Sequence, residues 1–134
     1  MTQTPRRALL DTSVVIDYPA NAVAEVADEL AISAVTVAEL HYGVTAATDP
    51  IEQLHRRRRL QLILDLFEVL AFDTAVAEYY GALATAVRNA GRDPRPRRMD
   101  LQIAATAARH GLSLLTRNGA DFTGLEQALH VVNL

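Results

Sequence analysis

Four acidic residues far apart in the chain, Asp11, Glu39, Asp100 and Asp121, each sit beside a short apolar run, in "RRALLDTSVV", "SAVTVAEL", "MDLQIAATAARHG" and "LLTRNGADF". Taken singly, each has an ordinary structural explanation. Asp11 fits a helix N-cap, since its carboxylate can accept the free N–H groups of a helix start. Thr36-Val37-Ala38-Glu39 has the form of a capping box. Asp100 in a first helical turn is favoured by the helix dipole. Asn118-Gly119 is a turn signal, and Asp121 could cap the turn that follows. Together they describe different chemistry. Carboxylates gathered in one cleft repel one another and resist ionisation. A hard divalent cation such as Mg2+ or Mn2+, which prefers oxygen ligands and keeps part of its water, resolves that conflict. Asn118 competes with Asp121 for the fourth position. The expectation favours Asp121, which brings a charge where Asn118 brings a neutral oxygen.

For these side chains to meet, the chain must form an α/β domain. Strand-length apolar runs at 8–10, 30–33, 68–71, 113–116 and 130–132 alternate with helical segments at 20–29, 37–46, 50–66, 74–89 and 99–110. That alternation predicts a three-layer α/β/α architecture around a small, mainly parallel sheet. In such sheets, sites form beyond the carboxyl ends of the strands. Asp11 and Thr116 end two of the predicted strands, and Glu39 and Asp100 lie at the starts of predicted helices. The 134 residues suit one domain spanning residues 1–134. The stretch "GRDPRPRR", residues 91–98, reads as an exposed loop.

Several alternatives fall away on composition. There is no cysteine, so disulfides, thiolate nucleophiles and Cys-ligated zinc are excluded. The four histidines, at 41, 55, 110 and 130, have no paired ligand spacing for zinc. Neither a glycine-rich phosphate loop nor a G-x-S-x-G elbow occurs. A phosphoacceptor receiver domain also gathers acids around Mg2+ but needs a lysine, and every basic residue here is Arg. Eight arginines fall in two clusters, 56–59 and 92–98, although the net charge is -3. No apolar run reaches 18 residues, so a membrane span is not expected and a cytoplasmic location is. The high apolar content, 50%, suggests a partner interface.

The segments "LLDTSVVIDY", "AVTVAELHYG", "RMDLQIAATAARHGLSLLTRNGADF" and "LHVVNL" resemble the PIN-domain endoribonucleases, specifically the VapC toxins of bacterial VapBC toxin–antitoxin pairs. The resemblance covers nearly the whole chain. It implies a PIN-like α/β/α fold, a Mg2+- or Mn2+-dependent site that hydrolyses RNA phosphodiester bonds, and a homodimer. It also implies a cognate VapB-type antitoxin in a heterotetramer or larger assembly. Matched by position, Asp11, Glu39 and Asp100 take the places of the family's first three acids, with Asp121 or Asn118 as the fourth. Thr12, Ser13, Thr116 and Asn118 match residues that line the site. Arg95, Arg97 and Arg98, just before Asp100, are placed to hold RNA backbone beside the metal. The competing reading is a non-catalytic PIN-like module that only binds RNA or protein; the presence of all three leading acids favours an enzyme.

Overall fold

The computed structural model describes residues 4–134. Five strands form one sheet: β1 (Arg7–Leu10), β2 (Glu29–Ser33), β3 (Glu68–Leu70), β4 (Ser113–Thr116) and β5 (Val131–Asn133). Their order is β3-β2-β1-β4-β5, with every neighbouring pair parallel. Six helices connect and cover them: α1 (Thr12–Ile16), α2 (Ala20–Val26), α3 (Ala34–Ala46), α4 (Pro50–Leu66), α5 (Thr74–Asn89) and α6 (Arg98–His110).

Successive strand residues point to opposite faces, and the core divides accordingly. Leu9, Ala31 and Leu114 pack on one side with α5 and α6 residues such as Val76, Leu83, Leu101 and Ile103. Leu10, Ile32 and Leu115 pack on the other with Val14, Val23, Leu40 and Leu60 from α1 to α4. Burial on both faces is why the central strands read as unbroken apolar runs rather than alternating ones. The order in which strands are added to the sheet reverses between β1 and β4, the adjacent central pair. The Asp11 N–H donates to the Leu115 carbonyl at 2.9 Å, which holds the two strand ends together where the crevice opens.

Several boundaries differ from those expected from sequence. The five-residue helix α1 was not foreseen, because "TSVVI" is too short to show a helical period. Helix α2 stops at Val26 rather than running to Glu29, and β2 starts at Glu29. Helix α3 begins at Ala34, three residues before the expected start at Val37. Ser33 is its cap, accepting the Val35 N–H at 3.0 Å. The Thr36–Glu39 capping box is therefore not formed: Thr36 lies inside the helix and fully buried, and Glu39 is in the second turn. Residues 95–97 of the expected loop form a 3-10 turn leading into α6.

Candidate active site

The site is assembled from the carboxyl ends of β1 and β4 and from three helices. Asp11 follows β1, caps α1 and is 4% exposed. One carboxylate oxygen accepts the Thr12 N–H at 2.9 Å; the other accepts the hydroxyls of Ser13 at 3.0 Å and Thr116 at 2.8 Å. A buried charge is tolerable only with such partners. The capping expectation for Asp11 is borne out, and the same carboxylate joins the side chains of the site through Ser13 and Thr116. Thr116 in turn accepts the Asn118 N–H at 3.0 Å, and Ser13 accepts the Arg117 N–H at 3.2 Å. The start of the 117–122 segment is therefore tied to the same group as Asp11.

Glu39 reaches this group through a hydroxyl relay. The Thr12 hydroxyl donates to Glu39 Oε1 at 2.9 Å and lies 2.9 Å from the Thr36 hydroxyl. Because Thr12 has one hydroxyl proton and Glu39 takes it, Thr36 is the donor to Thr12. Thr36 and Glu39, three apart on α3, share a helix face. Thr36, which the Thr36-x-x-Glu39 pattern would make a cap, thus serves inside α3 as a buried hydroxyl donor. Burial pushes the Glu39 carboxyl upward, the Thr12 hydrogen bond works against that, and the negative Asp11 adds to it.

Asp100 sits in the first turn of α6, half-buried. The run Ile103–Ala107 behind it is fully buried, its alanines allowing the helix to lie close against the sheet. Burial raises the Asp100 carboxyl to about 6, and Asp11, Asp121 and Glu39 push it the same way, with Arg97 opposing. The four acids therefore share one electrostatic environment.

Asp121 lies in a 3-10 turn at Gly119–Phe122, with its N–H donating to the Asn118 carbonyl at 2.9 Å. Its carboxylate forms an ion pair with Arg97. The Asn118 side chain is exposed and caps nothing; only its backbone N–H joins the network. A further residue enters here that no short-range pattern could reveal. Asn133 of β5 accepts the Gly119 N–H at 2.6 Å, and a Cβ at position 119 would lie 2.7 Å from that oxygen. A side chain at 119 would force Asn133 to move and break that hydrogen bond.

The arginines divide by partner. Arg95 is folded back on Asp93, Arg97 is held by Asp121, and Arg98 is exposed with no ion pair among the described residues. A cleft of about 400 Å³ adjoins Thr12 and Glu39 and runs between α3 and α4 to Arg56 and Arg59. A larger one of about 710 Å³, under β5 and the 119–131 segment, contains none of the four acids.

These donors are all hard oxygens. Among the described residues no three acidic or imidazole side chains close into a ready-made ligand cage. As a donor set, carboxylate and hydroxyl oxygens suit a hard divalent cation rather than a soft one. Of its acidic neighbours, Asp11 acts most strongly on Asp100, followed by Asp121 and Glu39.

Comparison with known proteins agrees with this geometry. The model of the PIN domain family matches residues 8–126. Ribonuclease VapC5 of Mycobacterium tuberculosis is 35% identical over 134 residues, covering 98% of this chain and 96% of its own. Ribonuclease VapC4 of the same organism is 38% identical over 116 residues, covering 84% and 87%. The crystal structure of VapBC-5, a toxin–antitoxin system from M. tuberculosis, superposes with a TM-score of 0.83 at 32% identity, covering 97% of this chain and 100% of the matched one.

Proposed function

The chain belongs to the PIN domain family and, within it, to the VapC group, and on that premise we propose that it is a metal-dependent endoribonuclease and the toxin of a type II toxin–antitoxin pair. The observation that carries the reading is the meeting of Asp11, Glu39 and Asp100 at the reversal point of the sheet, with Asp100 pushed up to about 6 by burial and by its negative neighbours. Charges left in mutual repulsion are a poor choice for stability and a good one for a cation site.

Asp11 and Asp100 would hold a Mg2+ or Mn2+ ion, with Asp121 in the outer shell and Asn118 as the competing fourth residue. When bound, such an ion supplies Lewis acidity toward a phosphodiester and makes nearby water more acidic. The chain's own groups do the rest. Glu39, oriented by Thr12 and Thr36, accepts a proton from the water that attacks phosphorus. The bond to one ribose oxygen breaks as the bond to water forms, and that leaving oxygen is protonated from solvent. Ser13 and Thr116 keep Asp11 aimed by donating to the same carboxylate oxygen, Oδ2. Arg97 and Arg98 supply positive charge beside the scissile phosphate, and Arg95 stiffens the loop that carries them through its pair with Asp93. No side-chain nucleophile is needed.

The antitoxin part of the reading rests on VapC4 and VapC5 and on the VapBC-5 assembly. A VapB-type antitoxin would bury a hydrophobic segment in a groove of the toxin and direct a basic side chain at Asp11, Glu39 and Asp100. Exposed apolar side chains such as Ile16, Tyr42, Leu62 and Leu66 leave surface for that partner and for a homodimer contact. Incubation of the purified protein with total RNA tests the nuclease. Cleavage is expected with Mg2+ or Mn2+, to stop in excess EDTA and to return when Mn2+ is restored; cleavage that persists in EDTA after dialysis refutes the metal requirement.

A further inference from the structure

Beside the acids, on the side away from Glu39, a second pocket of about 250 Å³ opens between the end of α5, the arginine loop and the start of α6. It lies below the roughly 300–1,000 Å³ typical of sites for drug-sized ligands, a size suited to a single heterocycle. Its floor is apolar, from Val87 and Leu101, and its rim carries Arg92, Asp93, Arg97, Asp121 and Thr123. Two of these residues tie it to the catalytic centre: Asp121 acts on Asp100, and Leu101 is the next residue on α6.

The hydrogen-bonding character of the rim is selective. Arg92 is exposed and its guanidinium has no ion pair among the described residues. Its backbone is held in place, because Gly91 turns the chain at φ +82 and the Arg92 N–H closes back on the Val87 carbonyl at 3.1 Å. Arginine offers donors only, in a planar fork. Thr123 spends its hydroxyl proton on the Ala120 carbonyl at 2.9 Å, so toward the pocket it is an acceptor only, as is the Asp121 carboxylate. Asp93 is taken up by Arg95 and Arg97 by Asp121, so what the rim leaves for a ligand is the donor fork of Arg92 and the acceptors of Thr123 and Asp121. Guanine presents N7 and O6 on one edge and N–H groups on the other. Adenine would direct its amino group, beside N7, at the guanidinium.

We infer that this pocket receives a guanine base of the RNA strand next to the phosphate that is cut, an assignment that rests on the nuclease reading above. The base lies on Val87 and Leu101 with its N7 and O6 toward Arg92 and its N–H edge toward Thr123 and Asp121. It gives the enzyme a preferred cutting position that phosphate contacts alone cannot supply.

The test is fluorescence anisotropy in EDTA, where no cutting occurs, with short single-stranded RNA oligonucleotides carrying one guanine, or adenine or 7-deazaguanine in its place. The guanine oligonucleotide is expected to bind about tenfold or more tightly than the adenine one, with 7-deazaguanine between them. Both Arg92→Ala and Arg92→Lys should bring the ratio close to one, the lysine variant keeping the charge without the fork. Equal affinity for guanine and adenine, or a preference that survives both substitutions, overturns the assignment. So does competition by guanosine monophosphate as strong as by the oligonucleotide, which would make the ligand a free nucleotide. A protein that prefers guanine in EDTA yet cuts no RNA with Mn2+ leaves the pocket standing and refutes the nuclease; one that cuts RNA with no guanine at a fixed offset does the reverse.

Discussion

At the scale of residues, the acids are not equivalent, and substitution separates their roles. Asp100 carries the strain of the site: its carboxyl titrates at about 6 in the fold against 3.8 unperturbed. Below pH 4 the group is protonated both folded and unfolded and contributes nothing. Between pH 4 and 6 the folded state retains a proton that the unfolded state has released, so stability falls as pH rises through that window and stays lower above it. In metal-free buffer at pH 7.5, Asp100→Asn should therefore raise stability, by on the order of 1 kcal/mol once solvent screening of a half-buried group is allowed for. At pH 3.5 it should change little, and paired thermal melts at the two pH values check this. Asp11→Asn should act oppositely. Its carboxylate accepts three hydrogen bonds, from Thr12, Ser13 and Thr116; an amide offers a donor where those hydroxyls need an acceptor, and the loss should cost roughly 1–3 kcal/mol in urea unfolding. The sequence showed Asp11 and Asp100 equally well as acids beside apolar runs. It could not show which was cradled by hydroxyls and which was left exposed to its neighbours' charge, because those partners are up to 105 positions away.

At the scale of elements, placement depends on caps and turns that lie outside the acids. Helix α3 presents Glu39 at the right depth because Ser33 starts it one turn earlier than the Thr36-x-x-Glu39 pattern suggests. Ser33→Ala should cost about 1 kcal/mol as a lost N-cap, seen as a lower urea midpoint. The strands at 8–10 and 113–116 were legible from short apolar runs, and the helices at 50–66 and 74–89 from the cap residues that open them, Asp49-Pro50 and Asp73. The starts of α1 and α3 were not, since local hydroxyl-rich patterns fit a cap at more than one position and tertiary burial of Thr36 made the choice. The 3-10 turn holding Asp121 depends on Gly119 beneath Asn133. Gly119→Ala should displace that turn, weaken the Arg97–Asp121 pair and raise the Mn2+ concentration for half-maximal cleavage several-fold, with Tm lowered by only a few degrees. Asp121→Asn should raise it as well, whereas Asn118→Ala should leave it nearly unchanged; the reverse order would make Asn118 the fourth residue.

At the scale of the whole molecule, a parallel sheet buried on both faces holds the site, and the order β3-β2-β1-β4-β5 brings residues 11 and 116 together. The β–α alternation and the site end of the sheet could be read from apolar periodicity, but strand order could not, because periodicity says which face is buried and not which strand is the neighbour. The identity of the family rested on the four segments taken together, none of which is specific alone. Co-expression with a VapB-type antitoxin should suppress toxicity and yield a complex by size exclusion; separate elution of the two chains would count against the pairing. The central claim is that Asp11, Glu39 and Asp100 form one RNA-cleaving centre. It is tested most directly by comparing Mn2+-supported RNA cleavage by the wild type and by folded Asp100→Asn at equal concentration. A rate at least about a hundredfold lower for the variant is predicted, on the scale seen when one charge-stabilising group is removed from an active site. Equal rates from the two proteins would contradict it.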